Sequence, residues 1–372
     1  MRIAPFALER YFAKHEFCAR YLLSSSDCES LSLSELLAMA DRETTALWKK
    51  LRLGYTETPG HPLLREEISR LYSGITAENI LVTVPEEGIF LLMHALLSPG
   101  DHIVCTFPGY QSLYEVARSI GCEVSIWKPD ETHGWCFDPG QLEKKIRPNT
   151  KMVVVNFPHN PTGSVPSRND FEKIVDIVRR HGTYLLSDEM YRFLEIEEGY
   201  TLPSACELYD RAFTLCGLSK SFGLPGLRIG WLVSRCDEEL ERVSMLRDYT
   251  TICSSAPSEI LAVMALRSRK SIIGKQLERV RRNVKLLDGF FSKYEDLFRW
   301  NRPAGGSVCF PRMLIDPDTG TFCERLIEET GIMLVPSSIF QYGGNHVRIG
   351  FGRDDLAEVI KMFSGYLTKQ YR

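Results

Sequence analysis

"KMVVVNFPHNPTG", Lys151 to Gly163, holds the fold in its first seven residues and a chemical hint in its last six. The run KMVVVNF is apolar apart from Lys151 and Asn156, the pattern of a strand covered on both faces rather than one side of a surface sheet. It then breaks into PHNPTG, a turn in which Asn160 is bracketed by Pro158, Pro161 and Gly163. Six other β-rich runs resemble it: NILVTV (79–84), HIVCTF (102–107), CEVSIW (122–127), TYLLSD (183–188), AFTLCGL (212–218) and RIGWLVS (228–234). Longer helical patterns separate most of them. The expected fold is therefore α/β, a mostly parallel seven-stranded sheet with helices on both faces.

The rest of the chain sets the domain plan. A length of 372 residues exceeds what one small core organises and suits a large domain joined to a smaller one. From Asp237 to Tyr294 the pattern is helical, and beyond it the short strand-like pieces SVCFPRML and HVRIGF flank a helix, CERLIEET. Residues 50–265 are read as the large domain, 266–372 as a small C-terminal α+β domain, and 1–49 as an N-terminal segment folded back onto the small one. Within that segment, Ser32 and Glu35 precede LLAMA in capping-box spacing, so a helix starts there.

Composition narrows the partners. A formal net charge of −3 with no long basic run offers no footprint for nucleic acid or an anionic membrane, which leaves small molecules. The 11 cysteines are odd in number, scattered and without a CxxC pair, as reduced thiols of a cytoplasmic protein would be. The opening MRIAPFALERYFAKHEF carries a charge every few residues and reads as neither signal peptide nor membrane span. Cytoplasm is the expected location.

In open α/β sheets ligands bind beyond the carboxyl ends of the strands. Four strand ends carry unusual polar chemistry: Asn160 after KMVVVNF, Asp188 and Tyr191 after TYLLS, Ser219 and Lys220 after AFTLCGL, and PEEGIF after NILVTV. The last opens a helix whose free backbone N–H groups can meet an anion. Singly, each has an ordinary explanation: Asn160 an Asx turn, Asp188 a cap, Lys220 a surface lysine, Arg228 an ion pair. Together they match one cofactor's needs. A carbonyl-bearing pyridine phosphate requires a lysine to hold it as a Schiff base, an acid at the ring nitrogen, hydrogen bonds to the ring hydroxyl and an anion pocket.

The stretches NFPHNPTG, SDEMY and LSKSFGLPGLRIGW, in this order and spacing, closely resemble fold-type I pyridoxal-phosphate enzymes of the class I/II aminotransferase family. The resemblance runs from YTETPG, which starts at Tyr55, to near the C-terminus. It implies that Lys220 forms the Schiff base and later carries a proton between the substrate Cα and the cofactor. It implies that Asp188 pairs with the pyridine nitrogen, that Asn160 and Tyr191 bond the ring hydroxyl oxygen, and that Arg228 and Ser219 hold the phosphate. Tyr110, in FPGYQSLY, matches the aromatic stacked on the ring. Tyr55 matches a tyrosine that reaches the neighbouring subunit's phosphate, which implies a homodimer with shared active sites. Arg348, in HVRIGFG, matches the arginine that grips the substrate α-carboxylate, with Asn160 beside it.

Some positions depart from the family. Gly217 stands where many relatives carry a hydroxyl three residues before the lysine. The phosphate-binding turn reads Pro85, Glu86, Glu87, Gly88 rather than a glycine- or serine-rich sequence. Glu86 and Glu87 are counted among the cofactor residues through the backbone donors of that turn, with both carboxylates expected to point away from the phosphate. Several stretches look most like a branch that includes capreomycidine-synthase-like proteins, which act on an arginine-derived substrate. In that context Asp27, in SSSDCES, is a candidate for a cationic substrate side chain, against a turn or cap role.

The leading functional expectation is a homodimeric aminotransferase acting on an L-amino acid and a 2-oxo acid. A second is elimination, replacement or cyclisation on an amino acid, perhaps a basic one, with the same cofactor. A third, from another class, is a non-catalytic binding protein on this fold. No metal site is expected.

Overall fold

The computed structural model describes residues 2–197, 201–316 and 318–372. All seven expected strands form: β1 (Ile80–Thr83), β2 (His102–Thr106), β3 (Glu123–Trp127), β4 (Thr150–Asn156), β5 (Tyr184–Asp188), β6 (Ala212–Gly217) and β7 (Gly230–Val233). They make one sheet in the order β1-β7-β6-β5-β4-β2-β3. Apart from Lys151 of β4, every strand but β3 is buried along its length, which is why their sequences do not alternate; β3 is an edge strand, and all of it but Trp127 is at least partly exposed.

The sheet is mostly parallel, with one reversal. β2, β3, β4, β5 and β6 pair in parallel, whereas β7 runs antiparallel to both β6 and β1. The link from β6 to β7 holds a single short helical turn, Pro225–Leu227, and no crossover helix, so β7 returns beside β6 in the opposite direction. Lys220 and Arg228 lie in that return.

Helices cover both faces. Pro85–Leu96, Ser112–Ile120 and Asp237–Arg247 lie on one side, where Ile89, Leu92, Leu113 and Val243 pack on Ile103, Leu186 and Leu215. On the other, Phe171, Ile174 and Val178 of helix Arg168–Arg180 pack on Val153, Val155 and Leu185. The helical stretch after Asp237 is three helices rather than one: Asp237–Arg247, Ala256–Arg267 and Arg269–Lys293. Pro257 in the first turn of the second helix has no N–H to continue a preceding one, so a new helix starts there.

A separate core gathers Val280, Leu287 and Phe291 of the last of these helices with Phe322, Val347, Ile349, Phe363 and Leu367, and it includes Tyr21, Leu23 and Cys28 from near the N-terminus. Its strands are short: β8 (Phe298–Arg299) pairs with β10 (Arg312–Met313), and β12 (Val347–Gly350) lies between β11 (Val335–Pro336) and β9 (Val308–Cys309). The Ser32 capping box forms as expected, Ser32 N donating to Glu35 Oε2 at 2.7 Å and Glu35 N to Ser32 Oγ at 3.2 Å, and helix Leu33–Ala38 follows. Leu36 of that helix packs with Leu64, Ile68 and Val263, against the sheet side of the molecule.

Candidate active site

The carboxyl ends of β4, β5 and β6 open into one cavity of about 580 Å³, closed from other directions by β12, helix Ala7–His15 and the segment around Ser26. Ten of the twelve residues singled out from sequence line it: Lys220, Asp188, Asn160, Tyr191, Tyr110, Ser219, Arg228, Glu86, Arg348 and Asp27.

At the end of β4, the turn of Asn160 is held by the strand's last residue. Asn156 Oδ1 accepts from Asn160 N at 2.7 Å, and Asn156 Nδ2 donates to the Asp188 carbonyl at 3.0 Å, so one buried amide joins two neighbouring strand ends. Gly163 closes the turn in a left-handed conformation, φ 71°, where an added Cβ would lie 2.5 Å from Pro303 Cβ and 2.7 Å from the Val308 carbonyl.

At the end of β5, Asp188 is buried and its Oδ1 accepts from Met190 N at 3.0 Å. Burial pushes its carboxyl up to about 7, against the pull of that hydrogen bond and of Lys220. Tyr191 is buried too, and its hydroxyl has no hydrogen-bond partner among the described residues. Beyond β6, the Lys220 amine donates to Ser26 Oγ at 2.7 Å and lies 5.9 Å from the Tyr191 ring centroid. Burial lowers its pKa, opposed by Asp27 and reinforced by Arg348. Arg228 sits in a left-handed backbone conformation, φ 55°, with its side chain exposed and Nη1 donating to the Pro225 carbonyl at 3.1 Å.

Arg348 comes from β12. It is 1 % exposed; Nη2 donates to the Ser24 carbonyl at 3.0 Å and Nη1 to Asn160 Oδ1 at 3.4 Å, while Nε is unpartnered among the described residues. Among the described residues no carboxylate is bonded to it, unusual for a buried guanidinium, and burial lowers its pKa. Tyr110 packs its ring 5.0 Å from that of Phe6, and its hydroxyl donates to Glu9 at 3.4 Å.

Two expectations change, for Glu86 and Asp27. Glu86 does not turn away: its carboxylate accepts from Ser112 Oγ at 3.1 Å on the cavity wall, and burial with Glu9 nearby lifts it to about 7. Glu87 does turn away, because Thr83 and Thr251 donate to it from outside the cavity, at 3.2 and 2.9 Å. It therefore does not line the cavity, and any contribution to an anion from this residue is left to its backbone. Asp27 is neither a cap nor free; its Oδ2 pairs with Arg353 Nη2 at 2.9 Å. Tyr55 also lies outside the cavity of its own chain, exposed on the surface.

Asn156, Ser26, Glu9 and Glu16 also line the cavity without standing out in the sequence, although all four lie inside stretches quoted above. Asn156 had a signal, being a polar residue at the end of an otherwise apolar strand. Ser26 had only its place beside Asp27.

The family model for aminotransferase class I and II matches residues 21–361. The chain is 30% identical over 352 residues to capreomycidine synthase of Streptomyces vinaceus, covering 92% of this chain and 88% of that protein. It is similar to the crystal structure of a PLP-dependent aminotransferase from Streptococcus suis, at 33% identity, a TM-score of 0.93 and 100% of both chains. It is also similar to the PLP-dependent cyclase OrfR, at 29% identity and a TM-score of 0.89 over 100% of this chain and 98% of that one.

Proposed function

Because the chain belongs to the class I and II aminotransferase family, we propose that it exchanges an amino group between an L-amino acid and a 2-oxo acid with pyridoxal 5′-phosphate as cofactor. The observation that carries this reading is one cavity holding the Lys220 amine, the buried Asp188 carboxyl and the buried, carboxylate-free Arg348.

The residues present fit the cofactor. Tyr191 Oη and Arg348 Nε are buried polar atoms without partners, the state expected of groups shaped for a ligand. Asp188 would pair with the ring nitrogen and favour its protonated form, Asn160 and Tyr191 would bond the ring hydroxyl oxygen, and the Tyr110 ring would cover the pyridine. Ser219, Arg228 and the free N–H groups opening helix Pro85–Leu96 would hold the phosphate. When bound, the cofactor supplies a carbonyl that condenses with amines and a ring that accepts the electrons released at the substrate Cα.

The chain's own residues do the rest. Burial disfavours the charged form of Lys220, which favours a neutral amine able to take the proton from Cα and return it. Arg348 binds the α-carboxylate through a planar fork and so fixes which Cα bond faces Lys220. Cytoplasmic location is part of the proposal, supported by the 11 cysteines standing as free thiols; no helix among the described residues is long and apolar enough to cross a membrane.

A second reading, elimination, replacement or cyclisation on a basic amino acid, is favoured by the far wall of the cavity. Glu9, Glu16 and Asp27 line it with Arg353 as their neighbouring cation, and burial together with Asp27 and Glu9 raises the Glu16 carboxyl. A cationic substrate side chain would relieve that repulsion. Anaerobic titration of the cofactor-loaded protein with single amino acids, arginine and glutamate included, separates the two. Conversion of the cofactor to its pyridoxamine form supports transamination. A modified product without that form supports the second reading, and inertness toward the whole panel would contradict both.

A further inference from the structure

Ser26 lies in a segment with unusually many anchors. The Leu23 carbonyl accepts from Gly350 N at 2.8 Å, the Ser24 carbonyl from Arg348 Nη2 at 3.0 Å and the Ser26 carbonyl from Ser307 Oγ at 2.7 Å. Asp27 is tied to Arg353. Gly350 lets the segment come this close: a Cβ there would stand 1.8 Å from the Ser25 carbonyl oxygen. The Ser26 hydroxyl is thus a fixed point on the cavity wall, and it accepts from the Lys220 amine at 2.7 Å. Lysine by contrast carries its amine on a flexible four-carbon stem.

We propose that Ser26 is a positioning residue whose hydroxyl holds the Lys220 amine whenever that amine is not bonded to the cofactor, so that the lysine acts on the substrate from one place. The proposal rests on the reading of Lys220 as the cofactor lysine. A hydroxyl suits the task because it accepts from an ammonium and can turn to donate to the lone pair of a neutral amine, so it serves both states of a group that takes a proton and gives it back. A carboxylate in its place would hold the ammonium and oppose its deprotonation. The adjacent Asp27 is bonded to Arg353, and it acts on Lys220, with Arg348, Cys28 and Asp188, as a neighbouring charge.

The test is trace acetylation of the protein with acetic anhydride across pH, with the Lys220 peptide read by mass spectrometry. Parent, Ser26→Ala and Ser26→Thr are compared cofactor-free and with pyridoxamine 5′-phosphate bound, a form with no aldehyde for lysine to bond. The bond from ammonium to hydroxyl is charge-assisted and outweighs that to the neutral amine. Ser26→Ala should therefore lower the Lys220 midpoint by about half to one pH unit and raise its labelling rate above the midpoint several-fold, with Ser26→Thr restoring both. A Ser26→Ala midpoint equal to the parent's, one moved up toward that of an exposed lysine, or no rescue by threonine would overturn the proposal. Borohydride reduction of the parent loaded with pyridoxal 5′-phosphate reports separately on the underlying reading: without a reduced adduct on Lys220, that reading fails whatever the labelling shows.

Discussion

Asp188 is the residue whose environment makes the sharpest claim. Its carboxyl is lifted from an ordinary 3.8 to about 7 by burial, so in the cofactor-free protein the folded chain holds a proton that the unfolded chain has released between those two values. Stability therefore falls as pH rises from about 4 to about 7 and is level above, as far as this group is concerned. Asn cannot ionise and escapes that loss. Cofactor-free Asp188→Asn should be more stable than the parent by a margin that grows across the same window, reaching on the order of a few kcal/mol, while its affinity for pyridoxal phosphate falls. Denaturant melts at pH 4, 6 and 8 check this, and a pH-independent margin would contradict it. Arg348→Ala should raise KM for the amino acid roughly 10- to 100-fold through loss of charge-assisted bonds, with a much smaller effect on cofactor affinity; equal losses would contradict its assignment to the α-carboxylate. The residues legible in the sequence were those whose types converge on one cofactor, such as Lys220, Asp188 and Asn160. Ser26 and Asn156 were not legible, because a serine in SSSDCES and an asparagine before a proline-rich turn read first as turn formers. Their meaning comes from partners 194 and 32 positions away, Lys220 and Asp188.

Among the elements, the N-terminal helix is held over the cavity by few bonds. Gln111 Oε1 accepts from Ala7 N at 2.8 Å and Gln111 Nε2 donates to the Pro5 carbonyl at 3.0 Å, clipping the start of helix Ala7–His15 to the turn after β2. The same docking brings Glu9 toward Glu86, which is lifted to about 7 and faces Ser112, Tyr110, Glu9 and Asp188. Below that value Glu86 is neutral; above it two carboxylates repel across the contact. Cleavage of the first twenty residues by a protease active over the range should accelerate as pH passes through 7, and Glu86→Gln should flatten that rise. Gln111→Ala should speed cleavage roughly tenfold at any pH while leaving the main melting transition nearly unchanged, since two modest hydrogen bonds are lost from a local unit. Six of the seven sheet strands were readable because burial on both faces left mostly apolar runs, and β3 because its β-branched and aromatic residues still mark a strand at the edge. The two-residue strands β8 and β11 were not, being too short to carry a period, whereas β9 and β10 fall within the strand-like piece SVCFPRML. The breaks in the helical region after Asp237 are hard to read for another reason: residues of good helix propensity continue on both sides of Pro257, as in DEELERVSMLR before it and SEILAVMALR after it.

At the scale of the molecule, one face is unfinished. Leu53 is 87%, Tyr55 90% and Tyr249 90% exposed, with Met245 and Ile252 also exposed. Arg247 binds these segments together, donating to the Thr58 carbonyl from one guanidinium nitrogen and to Ser254 Oγ at 2.8 Å from another. Large apolar side chains exposed on these segments would suit an association surface, and Tyr55 is among them, outside the cavity of its own chain. A homodimer joined through this face would cover the group and let Tyr55 of each chain serve the other's phosphate. Light scattering is expected to give a dimer, and Leu53→Asp combined with Tyr249→Glu a monomer, since each places a charge where burial would leave it unpaired. The monomer should retain its fold by circular dichroism yet release cofactor faster. Tyr55→Phe isolates the second effect: it should stay dimeric and lose about tenfold in cofactor affinity, one charge-assisted hydrogen bond's worth. A monomeric parent with full cofactor affinity would refute the shared site. A dimer indifferent to Tyr55→Phe would leave the interface standing and remove the tyrosine hydroxyl from it.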